Sequence, residues 1–185
     1  FPSAILQAFD SKSGNAMWKE SFASTLASGL ESFNDLKSVS TSSEYLVASS
    51  YSGDLKAWKS AAGSKKLLWE KKISLYAPVE IQKDHFLLLS GRDGSVQSVD
   101  LDSGYVKWKN ELSGGLGSQP ASRGNRVWVG TSAGLVYVFA QSGERIAKSK
   151  DFQSSIWHKP VLLAEDDALV LSSEGILRRL RLVRL

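Results

Sequence analysis

The residues able to do chemistry are few, and their spacing does not assemble them into a site. The two histidines, His85 and His158, lie nearly two repeats of the chain apart. Neither has a third partner that would make it a general base or a metal ligand. Cysteine is absent, which removes disulfides, thiolate nucleophiles and cysteine metal sites. Serines number 31, but no Gly-x-Ser-x-Gly elbow occurs among them, and serine-rich turns account for them better. Gly91-Arg-Asp-Gly94 and Ser113-Gly-Gly-Leu-Gly117 are glycine-rich, yet neither leads into Lys-Ser/Thr or a helix, as a phosphate loop must. Glu165-Asp166-Asp167 is the one acidic run; it lacks calcium-loop spacing and reads as a solvated hairpin turn. No catalytic residue, metal ligand or cofactor is assigned.

Composition narrows the classes further. The chain has 185 residues, 42% hydrophobic and 10% aromatic, enough to bury a substantial core. Its net charge of +4 equals the four arginines Arg178, Arg179, Arg181 and Arg184 of the last eight residues. The body is therefore neutral, and a nucleic-acid partner, which calls for a basic face, is disfavoured. No apolar run has the length of a spanning helix. The chain opens on Phe1 without a signal segment, so a mature or trimmed form is expected.

What positions these residues is a repeat. Gly53, Gly94, Gly134 and Gly175 are spaced by 41, 40 and 41 residues. Gly63, Gly104 and Gly143 follow at 41 and 39, and Pro78, Pro120 and Pro160 at 42 and 40. Within each unit short apolar runs alternate with polar breaks. Residues 45–49, 86–90, 127–131 and 169–173 precede the first glycine series, and 55–58, 96–99, 135–139 and 176–182 follow it. A third run, as at 67–69 and 105–109, follows the second series, and each proline opens a further short strand. Each unit of about 41 residues is thus expected to be a meander of four antiparallel strands, a to d. Such sheets bury both faces only against copies of themselves, so the fold class is all-β, a β-propeller of four-stranded blades. Repeats are placed at about 36–73, 76–112, 118–150 and 158–185 within one domain, 1–185. Residues 23–33 are expected to form a loop.

The units resemble the quinoprotein-type (PQQ-like) propeller repeat, in which an apolar strand, a small-Gly turn, a strand ending in Asp, a Ser/Thr-Gly turn and a strand carrying Trp follow in order. The segment from Phe86 through Asp93-Gly94, Asp100 and Ser103-Gly104 to Trp108 carries the whole pattern. Asp10, Gly14 and Trp18 repeat its second half, and the third unit has Ala147 where the tryptophan belongs. Within that superfamily the sequence is most similar to the BamB family of the outer-membrane β-barrel assembly machinery. The resemblance implies a non-enzymatic, periplasmic, outer-membrane-associated scaffold. Its partner would be the barrel-assembly machinery, with membrane contact only through a lipid anchor or that partner. The alternatives are a ligand-sensing or PQQ-binding quinoprotein relative and a generic periplasmic scaffold.

Residues 17–22 could serve as the missing strand d of the last unit. That gives about four blades per chain, where the BamB family has eight. Two copies could form one eight-bladed ring as a homodimer, each giving strand d to the other's last blade, or the chain could be half of a longer one; 5–9 is surplus to the count and could be strand c of a preceding blade. Trp18, Trp69 and Trp108, placed at the ends of their d strands, are expected to wedge between blades, and Trp58 and Trp128 to be ordinary core. Trp157 and His158 differ. They lie in a d-to-a linker, 154–160, where propeller partners dock, and are the candidate partner-binding residues. The C-terminal arginines are expected to face outward, free to meet Asp35 or Glu44 of a second copy.

Overall fold

A computed structural model describes residues 5–22, 36–61, 64–82, 86–149 and 151–183. The expected loop at 23–33, His85 and Asp35 lie outside them. Every regular element among the described residues is a strand. The chain divides into two compact units, Phe1–Leu75 with Leu101–Gly104, and Tyr76–Asp100 with Tyr105–Leu185.

The first unit holds an antiparallel pair, β1 (Ile5–Phe9) and β2 (Ala16–Ser21), and a four-stranded meander, β3 (Leu36–Thr41), β4 (Tyr45–Ser50), β5 (Asp54–Ala61) and β6 (Ser64–Lys72). Phe22, Leu46, Ala48 and Trp58 form its core, with Leu6 and Trp18 packed against them. Lys65 lies between the rings of Trp18 and Trp58 and bonds to Glu20, which also pairs with Lys56 at 3.5 Å. Residues 17–22 thus meet β1 and the β3–β6 sheet of their own chain.

The second unit holds two further meanders and a three-stranded sheet. The meanders are β7 (Glu80–Ile81), β8 (Phe86–Ser90), β9 (Ser95–Asp100) and β10 (Val106–Glu111), then β11 (Ala121–Arg123), β12 (Arg126–Gly130), β13 (Val136–Ala140) and β14 (Arg145–Lys148). The three-stranded sheet is β15 (Val161–Ala164), β16 (Asp167–Leu171) and β17 (Leu177–Arg181). Period-two alternation explains why residues 127–129 of β12 and all of β13 are apolar. Val127, Val129, Tyr137 and Phe139 face a core shared with Leu88 and Val96, while Trp128, Val136 and Val138 face another shared with Ala168 and Val170. One sheet is buried on both faces by its neighbours.

The register carries a recurring irregularity. Strands c and d slip by one residue at the same place in every pair, opposite Trp18, Trp69 and Trp108 and, in the third meander, opposite Ala147. The tryptophans therefore sit inside their strands rather than at the ends. In two of them the bulge aims the ring at a turn glycine: Trp69 covers Gly104 and bonds from Nε1 to the Leu101 carbonyl at 2.8 Å, and Trp108 covers Gly143 and bonds to the Gln141 carbonyl at 2.7 Å.

One charge expectation is corrected. Asp167 is not in a solvated turn; it is buried at the start of β16, where Arg179 reaches its Oδ2 at 2.5 Å and Arg181 at 3.0 Å. Both arginines stay exposed, as expected of them, while making these pairs, and Glu44 lies by Lys59. Leu180 and Leu182 pack inward, as alternation requires. The hydrogen bond from Arg179, with Arg181 adding to it against the cost of burial, holds the Asp167 carboxyl down at about 2. At Asp93 burial pushes the other way, but Lys109 and Ser95 outweigh it and bring that carboxyl to about 2 as well. Both lie below the ~3.9 of an unfolded aspartate, so the folded chain binds fewer protons. Their stabilisation is complete above ~4 and is lost as pH falls through about 2. Urea midpoints recorded from pH 7 to pH 2 should drop in that acid window, and Asp167→Asn should flatten part of the drop.

Candidate functional site

The linkers joining one sheet to the next are held by repeated backbone bonds. In the second unit Tyr76 N–H donates to the Ser90 carbonyl at 2.9 Å and Ser118 N–H to the Gly130 carbonyl at 2.8 Å. The linker at 151–160 is pinned at both ends. Phe152 and Ile156 are buried, and Ile156 N–H donates to the Thr131 carbonyl at 2.9 Å. Ser155 Oγ donates to the Ser132 carbonyl at 2.6 Å, and Pro160 is buried where β15 begins. Between these anchors Trp157, His158 and Lys159 have no inward course and are all exposed.

Trp157, 40% exposed, leans against the Tyr76 ring, centroids 5.5 Å apart and planes at 42°. Lys159 Nζ meets Glu80 Oε2 at 2.6 Å just beyond. An aromatic contact and an ion pair thus tie the third linker to the first, which fixes an indole that solvent still reaches. Ring pairs of this sort add about 0.5–1.5 kcal/mol beyond their burial. His158 follows on the same segment, and among the described residues no hydrogen bond orients its imidazole. Composition singled out Trp157 and His158 but missed Tyr76, Glu80 and Lys159. Repeat phase could have found Tyr76, which stands two residues before Pro78 as His158 stands two before Pro160.

A cavity of about 380 Å³ is lined by Glu80, Ser122, Arg123, Lys159 and Val161, and one of about 450 Å³ by Glu80, Gln82, Ser122, Arg123 and Gln141. Arg123 Nη1 donates to the carbonyls of Leu162 and Leu163 at 3.1 and 2.7 Å. Among the described residues no group of three His, Cys, Asp or Glu side chains is placed to hold a metal ion. The geometry offers an exposed aromatic and charged surface.

A family model described as outer membrane protein assembly factor BamB matches residues 1–110 and again 92–182. A protein of that description from Bordetella pertussis is 27% identical over 183 residues, spanning 97% of this chain and 47% of that protein. Among solved structures, BamB from Moraxella catarrhalis superposes with a TM-score of 0.76 at 18% identity, over 97% of this chain and 53% of that one. Saccharomyces cerevisiae Sqt1 gives 0.79 at 14% identity, over 98% and 53%, and the computationally designed Ika4 protein 0.66 at 16%, over 78% and 89%. The structural likenesses show the all-β propeller fold, and the chain spans about half the length of the BamB proteins it matches. With the matching model covering nearly every residue, the chain belongs to the family described as outer membrane protein assembly factor BamB.

Proposed function

We propose that this chain is a non-enzymatic docking scaffold in the assembly of outer-membrane β-barrel proteins, working at the periplasmic side of that membrane, and that Trp157 and His158 belong to its partner-binding surface. Family membership supports the assembly role. The observation that carries the surface is the exposed Trp157 indole fixed on Tyr76 beside the Lys159–Glu80 pair. Interfaces are anchored by such aromatics, because a pre-ordered ring loses little entropy on binding.

Capture of the barrel-assembly proteins on immobilised chain tests both parts. Trp157→Ala should weaken capture by about tenfold or more, the scale of an aromatic anchor, with strand content unchanged by circular dichroism. His158→Ala should weaken it less. Capture by the parent chain that both variants retain in full would remove the surface and leave the role; absence of capture by the parent would remove the role.

A further inference from the structure

Arg123 lines both cavities of the second unit, and its guanidinium is only half used. The Leu162 and Leu163 carbonyls hold Nη1 and so fix the plane of the group. Nε and Nη2 bond to no described residue, and no described carboxylate pairs with Arg123. Those two nitrogens form an edge that grips a carboxylate through two parallel bonds. The other charges of the cavity walls cancel, since Lys159 meets Glu80 at 2.6 Å. One positive charge is left for a ligand.

The larger cavity adds amides. Gln82 lines it and is only 7% exposed. Its backbone N–H is spent on the Phe86 carbonyl at 2.8 Å, while its side-chain amide bonds to no described residue. Buried amides are ordinarily hydrogen-bonded, so one that faces a cavity without a protein partner points to a ligand. Gln141 stands in the same wall with its backbone committed: its N–H donates to Asn125 Oδ1 at 3.2 Å and its carbonyl accepts from Trp108. Its side-chain amide is left over too. The smaller cavity is different in kind, because Ala121, Pro160, Val161 and Leu162 give it an apolar wall. Glu80, Ser122 and Arg123 belong to both cavities, so the two adjoin.

We infer that the two cavities form one binding site for an N-acylated apolar amino acid, a chemistry shared by the free molecule and by the last residue of a peptide. Three substituents on one carbon meet three kinds of wall. The carboxylate takes the Nε–Nη2 edge of Arg123. The acyl amide pairs with Gln82 and Gln141, whose side chains both donate and accept. The apolar side chain enters the smaller cavity against Pro160, Val161 and Leu162. Volumes of about 450 and 380 Å³ lie in the range of small-ligand sites. The inference is independent of the role given to Trp157.

The probes are N-acetyl-leucine, the uncharged N-acetyl-leucinamide, and acetyl-Ala-Ala-Leu with a free C-terminus, each titrated into the isotopically labelled 185-residue chain and followed by NMR. Saturable shifts of the Arg123 Nε–H and of the Gln82 and Gln141 side-chain amides are expected with both acids. The leucinamide should bind about tenfold or more weakly, because it offers the guanidinium no charge. Arg123→Lys keeps the charge but loses the fork, and should weaken the acids by a similar factor. A tripeptide that binds about tenfold more tightly than acetyl-leucine marks a peptide end as the source, and equal affinities mark the free acylated amino acid; both support the site. No saturable shift, shifts confined to other residues, or equal affinity for acid and amide would overturn it. The comparison of acid with amide uses the parent chain, so it holds whether or not the Arg123 variant folds.

Discussion

Gly143→Ala is expected to destabilise the second unit by about 2–5 kcal/mol, a large share of what a domain of this size has. Two costs coincide at this residue. Its φ is +94°, where a side chain costs about 1–2 kcal/mol. Its Cβ would lie 2.5 Å from Trp108 Cγ, and overpacking of that kind costs about 1–3 kcal/mol. The indole cannot retreat freely, because its Nε1–H is committed to the Gln141 carbonyl and its ring stacks on Phe139 with centroids 6.0 Å apart. Gly175→Ala separates the two costs, since φ there is +80° and the Cβ would be in open space. Urea midpoints should fall for both, and distinctly further for Gly143. Equal shifts would mean that the tryptophan–glycine contact does not hold these sheets together.

That contact shows how far the sequence could be read. The Asp–x–x–Ser–Gly–x–x–x–Trp spacing of Asp10, Gly14 and Trp18, and of Asp100, Gly104 and Trp108, is a local pattern, so the strands and their order followed from it. What the ring touches was not local. Trp108 of one sheet packs on Gly143 of the next, 35 positions along, and only the shared period hints that the two series belong together. The site was legible in part for the same reason. Trp157 and His158 stood out as apolar and titratable residues in a linker, but Tyr76, on which Trp157 leans, and Glu80, which pairs with the neighbouring Lys159, lie about 80 positions upstream. Charges were read worst. The Glu165-Asp166-Asp167 run suggested solvent throughout; Glu165 and Asp166 do form the turn, but strand pairing brings Asp167 between Arg179 and Arg181, which stay exposed as expected. Alternation tells which way a side chain points, but not which opposite charge the register sets beside it.

The missing tryptophan of the third meander leads to the other large effect. Where β10 links to the following sheet through Trp108, β14 has Ala147, and the link moves to Trp128 on β12, whose Nε1–H donates to the Glu165 carbonyl at 3.1 Å. Trp128 is almost wholly buried among Val136, Val138, Ala168 and Val170, so it combines the packing of a core residue with the reach of a strand-d tryptophan. Trp128→Ala should cost about 3–5 kcal/mol through lost burial and the cavity left behind. Trp128→Phe keeps a ring but leaves the Glu165 carbonyl without its donor, and should cost about 1–3 kcal/mol. Both are read from urea midpoints. If the phenylalanine variant matches the parent, the indole serves only as volume and the hydrogen bond is incidental. If it falls as far as the alanine variant, the bond to Glu165 rather than the packing joins β12 to the β15–β17 sheet. An intermediate value assigns a share to each, the result expected of one residue that takes over from the tryptophan β14 lacks.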